Sequence, residues 1–146
     1  MGAVVVDGKA LALGLEEGLR ERVEALKQNE IVPHLAVVIA GDDPASHVYV
    51  RNKQRACERC GILSTRIDLP SNATQESGLE GVANLNSDSS VHGILVQSPV
   101  PEGVAELVIA AAISPERTSM GFTPPTSEGW CRAMPAVCYP ALHQEC

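Results

Sequence analysis

Two short segments of the chain, His34–Ala40 (HLAVVIA) and Val91–Gln97 (VHGILVQ), are apolar almost from end to end. A strand that reads this way is covered on both faces, as in a parallel sheet lying between helices. The stretches around them carry a helical period. From Lys9 to about Gln28, Leu11, Leu13, Leu15, Leu19, Val23 and Leu26 recur at mostly helical spacing among Glu and Arg. After Gly41-Asp42-Asp43, Pro44 suits a first helical residue and Asp43 its N-cap, and the helix it opens stops at Gly61. Ile62–Leu69 reads as a strand closed by Pro70. Ser71–Thr74 with Glu76 could cap a third helix to about Leu85, and Val104–Ile113 is a last apolar helix. With Ala3–Val6 as a first strand, the order β-α-β-α-β-α-β-α predicts the α/β class. The expected fold is a three-layer domain with a mostly parallel sheet flanked by helices.

The chain of 146 residues suffices for one domain and is too short for two of full size. Its net charge of -7 argues against nucleic acid or anionic membrane surfaces as partners. No apolar run approaches the roughly 18 residues of a membrane span. The start MGAVVVDGKA has no basic segment followed by an apolar one, so a cytoplasmic location is expected. Cys57 and Cys60 have the spacing of half a metal site. The remaining cysteines, Cys131, Cys138 and Cys146, supply no matching second pair, so no metal is expected. His34 and His92 head apolar strands and read as structural.

In open parallel sheets, ligands sit beyond the carboxyl ends of the strands. Two such ends are chemically unusual here. In GDDPASHVYVRNK (residues 41–53), Tyr49 and Lys53 are four apart and share one helix face. A lysine partly withdrawn from water can have a lowered pKa and act in acid/base chemistry. In GILVQSPVP (residues 93–101), Gln97 stands where a buried strand stops, before a loop stiffened by two prolines. Its amide can fix an ammonium or a ligand amide. By itself each feature also suits a bland role: a solvated helix face for the pair, backbone satisfaction for the glutamine.

Together these segments resemble the two signatures of the bifunctional methylenetetrahydrofolate dehydrogenase/methenyltetrahydrofolate cyclohydrolase family. DGK at 7–9, GI at 61–62, DLP at 68–70 and LNSDSSVHG at 85–93 fit as well, so that the resemblance covers residues 3–116. It implies a folate-binding catalytic domain over residues 1–116. In it Lys53 would be the central catalytic group, Gln97 would tune its protonation, and Tyr49 would pack against the pterin. Ser46 would have a supporting role on the ligand side, with Val96 and Pro99 in the substrate site. The implied reactions are oxidation of 5,10-methylenetetrahydrofolate with NADP and hydrolysis of the 5,10-methenyl product to 10-formyltetrahydrofolate. The implied partners are a tetrahydrofolate derivative and, in the full-length family, a second copy in a homodimer.

The resemblance fails after Glu116. The family chain is about twice as long, with a Rossmann-like unit for NADP, and no Gly-rich fingerprint of such a unit occurs here. The cofactor domain is therefore expected to be absent, and this chain truncated and impaired. Where the family reads P-E-K-D-V-D-G-F, this chain has Pro115-Glu116-Arg117-Thr118-Ser119-Met120-Gly121-Phe122. Met120 replaces an aspartate that holds the pterin and cannot accept its hydrogen bonds. Residues 117–146 have no sustained period and are expected to be irregular. They read as family sequence one base out of register. Inserting one A after the Glu116 codon turns AGG-ACG-TCG-ATG-GGT-TTC into codons for K-D-V-D-G-F. The alternatives are a non-catalytic folate-binding or dimerisation module, or the nonfunctional product of a damaged gene. Sequencing the gene across the Glu116 codon is expected to show the family frame resuming downstream in another phase. A downstream sequence with no such frame would remove the frameshift reading.

Overall fold

The structure is a computed structural model and describes residues 5–119. Helix α1 (Gly8–Lys27) is followed by β1 (His34–Ala40), α2 (Pro44–Cys60), β2 (Leu63–Leu69), α3 (Gln75–Ser87), β3 (Gly93–Gln97) and α4 (Glu106–Ala112). The three strands form a parallel sheet in the order β2-β1-β3. From β1 the chain steps to β2 through α2, then back across β1 to β3 through α3. Right-handed crossovers in opposite directions must lie on opposite faces. The core is divided accordingly. Val37, Ile39 and Leu95 pack with Val50 of α2 on one face. On the other, Ala36, Val38, Ile94 and Val96 pack with Val82 and Leu85 of α3 and Ile109 of α4. These are the expected three layers.

Local chemistry sets the element ends. The Asp7 carboxylate accepts from Lys9 and Ala10 at the start of α1, and Asp43 accepts from the Ser46 amide, with Pro44 just inside α2. Helix α3 is opened by a capping box between Thr74 and Ser77, so Ser77 fills the place expected of Glu76. Gly61 ends α2 at φ +76, a left-handed backbone. Glycine adopts that conformation without strain, so the turn is what the position needs.

The expected first strand is corrected. Val5 and Val6 are not in a strand and are 90% and 74% exposed, while residues 3 and 4 lie outside the described residues. A four-residue apolar run beside a helix cap fixes no pairing partner. Helix α1 also differs from an ordinary amphipathic helix. Only Val23 is buried, and Leu11, Leu15, Leu19 and Leu26 are exposed. The helix rests on α2 from Glu16 onward. There the Arg59 Nε and Nη2 groups donate to the Glu16 carboxylate at 2.8 and 2.5 Å, and Arg20 Nε donates to the Arg59 carbonyl at 2.7 Å.

Beyond α4, the Ile94 amide of β3 donates to the Arg117 carbonyl at 2.7 Å, and the Ser119 amide donates to the Ile94 carbonyl at 3.3 Å. Of residues 117–146, expected to be irregular, 117–119 thus pair with β3, and the rest, from Met120 onward, lies outside the described residues.

Ile94 has no exposed surface and sits under α3 and α4. Ile94→Ala should lower unfolding free energy by about 2–5 kcal/mol in a urea titration. A loss below about 1 kcal/mol would mean that the site collapses around the smaller side chain.

Candidate functional site

The chain leaves the end of β1 for one face of the sheet and the end of β3 for the other. Their carboxyl ends therefore open a crevice, the switch point at which ligands bind in such sheets. The start of α2 forms one wall and the Gln97–Pro101 segment the other.

On α2, Ser46, Val50, Cys57 and Cys60 are buried. With Lys53 they occupy positions i, i+4, i+7, i+11 and i+14, one inward stripe of the helix. Lys53 takes an apolar position on that stripe, which is why burial alone lowers its pKa below the usual lysine value. Its Nζ donates to Gln97 Oε1 at 2.7 Å, joining α2 to the end of β3. Gln97 Nε2 in turn donates to the Ser98 carbonyl at 2.8 Å. That carbonyl also accepts from Ser46 Oγ at 3.1 Å.

Tyr49, one turn before Lys53, is 60% exposed, so its ring is free to cover a flat ligand. The structure thus brings Ser46, Tyr49, Lys53 and Gln97 to one crevice. Ser46, expected on the ligand side, is only 2% exposed and turns its hydroxyl to backbone. Val96 sends its side chain to the far face, into the cluster with Val82 and Ile109. Pro99 is exposed in the loop after β3. The Ser98 carbonyl escaped the sequence reading because a main-chain acceptor has no residue signature. Its neighbour in the next helix escaped too: the Ser98 hydroxyl donates to the Glu106 carboxylate.

The two cysteines of the described segment lie on the opposite end of α2. Burial pushes the Cys57 thiol up, with Cys60 and Glu58 adding to it, and Cys60 Sγ donates to the Glu16 carbonyl at 3.8 Å. Both are buried free thiols, and Cys60 lies against α1. His34 bridges the strand starts, with Nδ1 3.1 Å from the Ser90 carbonyl and Nε2 2.7 Å from Thr65 Oγ1.

Residues 6–118 match the family described as tetrahydrofolate dehydrogenase/cyclohydrolase, catalytic domain. The chain belongs to this family. The Bifunctional protein FolD of Chlorobium chlorochromatii is 50% identical over 122 residues, covering 83% of this chain and 41% of that protein. The crystal structure of the FolD methylenetetrahydrofolate dehydrogenase/cyclohydrolase from Campylobacter jejuni superposes with a TM-score of 0.79 at 44% identity. It covers 81% of this chain and 42% of that one. The Trypanosoma brucei enzyme, crystallised with NADP cofactor and an inhibitor, gives 0.75 at 35% identity over 80% of this chain and 40% of that one. This chain spans about two-fifths of the length of the curated relatives it matches.

Because burial lowers the pKa of Lys53 on folding, the ammonium weakens the folded state at neutral pH. This cost is relieved as pH rises from the depressed folded pKa toward the unfolded value near 10.5. The stability of the wild-type chain relative to Lys53→Met should therefore rise with pH through that window and be flat below it. Urea midpoints measured between pH 7 and about 11 check this. A difference that does not vary with pH would show that Lys53 is not withdrawn from water.

Proposed function

We propose that residues 1–116 form a folate-binding catalytic domain acting on 5,10-methenyltetrahydrofolate, with Lys53 as the group that moves the proton. The observation that carries this reading is the Lys53–Gln97 hydrogen bond across the switch-point crevice, made by a lysine that burial has already shifted toward neutrality. Hydrolysis requires water to add to the cationic methenyl carbon, lose a proton, and reopen the ring as a nitrogen gains one. Neutral Lys53 can accept one proton of the attacking water and return it to the departing nitrogen, while the remaining hydroxyl proton is released to solvent as the C–N bond breaks and the formyl C=O forms. The downward direction of the Lys53 pKa favours the neutral amine that this role needs. Tyr49 would lie against the pterin, and the uncharged Gln97 would hold Nζ toward the reacting carbon. The homodimer and the cytoplasmic location implied by the family belong to the same reading.

The dehydrogenase reaction of the family draws its hydride acceptor from NADP, the cofactor named for the Trypanosoma brucei relative. The described residues do not fit that group. Asp7, Asp43 and Thr74 with Ser77 already close the N-termini of α1, α2 and α3. Two of these caps are carboxylates, placed where a phosphate would need bare amides. No hydride step is assigned to residues 5–119.

The test is hydrolysis of 5,10-methenyltetrahydrofolate by the 146-residue chain, followed by loss of the methenyl chromophore, with binding measured by calorimetry. Lys53→Gln should retain binding and lose about 10²–10⁴-fold in rate, the usual contribution of a general acid/base. Hydrolysis by the variant at the wild-type rate would remove Lys53 from the mechanism. Binding without hydrolysis in the wild type would leave a folate-binding module, and no binding would end the reading.

A further inference from the structure

The Lys53–Gln97 contact does not end at Gln97. The amide nitrogen of Gln97 is spent on the carbonyl of the next residue, Ser98, at 2.8 Å, and Ser46 Oγ donates to the same carbonyl at 3.1 Å. Ser46 is the third residue of α2, and its own amide is held by the Asp43 carboxylate at 2.7 Å. Its hydroxyl is sealed from solvent. The four groups form one continuous network: Lys53 donates to Gln97, and Gln97 and Ser46 both donate to the Ser98 carbonyl, so that it leaves and rejoins α2 about two turns apart.

We propose that Ser46 is a positioning residue: its hydroxyl anchors the Ser98 carbonyl, which fixes the amide polarity of Gln97 and so sets which way the Lys53 nitrogen points.

An amide has two faces of opposite character. If Gln97 were turned over, its oxygen would face the Ser98 carbonyl oxygen and its NH2 would face the Lys53 amine, with an unfavourable contact at both ends. A carbonyl held in place by a second donor makes that polarity permanent, because the acceptor can no longer swing away. Gln97 Oε1 then accepts one N–H from Lys53 in either protonation state. In the neutral state the Nζ lone pair is thereby directed away from Gln97. A buried serine whose hydroxyl reaches only backbone is otherwise a small filler, and alanine would serve there at little cost.

The charged groups around Lys53 leave this relay isolated. Its own helix face carries Tyr49 and Cys57 one turn to either side, and β3 presents the uncharged Gln97. On α1, Glu16 and Arg20 engage Arg59 at the far end of α2. On β2, Arg66 Nη2 donates to His47 Nδ1 at 2.8 Å and also binds Asp68. Glu106 of α4 is occupied by the Ser98 hydroxyl.

The catalytic meaning of this relay rests on the reading of Lys53 given above; its existence does not, and the test needs no folate. In the isotope-labelled 146-residue chain, the Lys53 titration is followed by its 13Cε and 15Nζ resonances in wild type, Ser46→Ala and Ser46→Thr. Loss of the anchored acceptor disfavours the ammonium, so Ser46→Ala should lower the Lys53 pKa by about half a unit, the size of one hydrogen bond. Ser46→Thr, which keeps the hydroxyl, should leave it at the wild-type value. A Lys53 titration in folded Ser46→Ala that superposes on wild type overturns the proposal. So does a shift of the same size in folded Ser46→Thr. If Ser46→Ala does not fold, the wild-type chain decides. Gln97 Nε2 protons protected from exchange support the relay, and exchange at the rate of a free glutamine amide overturns it. Addition of 5,10-methenyltetrahydrofolate forms a separate arm. Its failure to move the Tyr49 and Lys53 resonances would sink the functional reading and leave the relay as measured.

Discussion

The reversal of the chain about β1 is the constraint on which the site depends. Because β1 lies between its two neighbours, the helix that leaves it and the helix that follows β3 go to opposite faces. The β1 and β3 ends therefore diverge, with the start of α2 on one side and the Gln97–Pro101 segment on the other. Any side chain on the first two turns of α2 that faces β3 must border the space between them. The crevice is thus a consequence of strand order, and the residues decide only what chemistry it holds.

What holds the lysine in place is ordinary packing. Val50 has no exposed surface and lies against Val37, Ile39 and Leu95, four residues after Ser46 and three before Lys53. With that contact made, the rotation of α2 is set, and Ser46 and Lys53 both turn toward the end of β3. Burying a valine is worth roughly 1.5–3 kcal/mol, more than a single net hydrogen bond of about 0.5–1.5 kcal/mol. The hydrophobic contact therefore positions the polar ones. At the other end, the Glu16–Arg59 pair and the left-handed Gly61 fix where α2 stops against α1. The exposed Arg59 contributes little to stability there, but its fork gives the contact a direction.

Most of the fold was legible because its elements obey one period each. HLAVVIA and VHGILVQ could be nothing but covered strands, and Asp43-Pro44 with Gly61 bracketed α2 to within a residue. The run at Ala3–Val6 misled because four apolar residues give no pairing partner, and strand formation is decided by what lies alongside. Helix α1 was legible as a helix from its leucines, but not its exposure, since a period says which residues share a face and not what meets that face. In the site, Tyr49, Lys53 and Gln97 could be read because each has a distinctive side chain at a strand end or helix start. The place of Ser46 was open to the same reading. Ser46, Val50, Cys57 and Cys60 mark an inward stripe, and Lys53 interrupts it. The Ser98 carbonyl was beyond reach, being main chain whose direction depends on the loop after β3.

The neutrality of Gln97 follows from the same geometry. Lys53 lies 2.7 Å from its partner atom. A carboxylate at about 2.7 Å would attract the ammonium by about 1.5 kcal/mol in bulk water and about 6 kcal/mol at an effective dielectric constant of 20. That is roughly one to four pKa units upward, opposing the lowering caused by burial and favouring the charged ammonium. An amide oxygen accepts the same N–H with no net charge, so it orients the nitrogen without adding a counter-charge that opposes the effect of burial. The site needs a direction without a counter-charge, and of the side chains long enough to reach from the end of β3, glutamine supplies that.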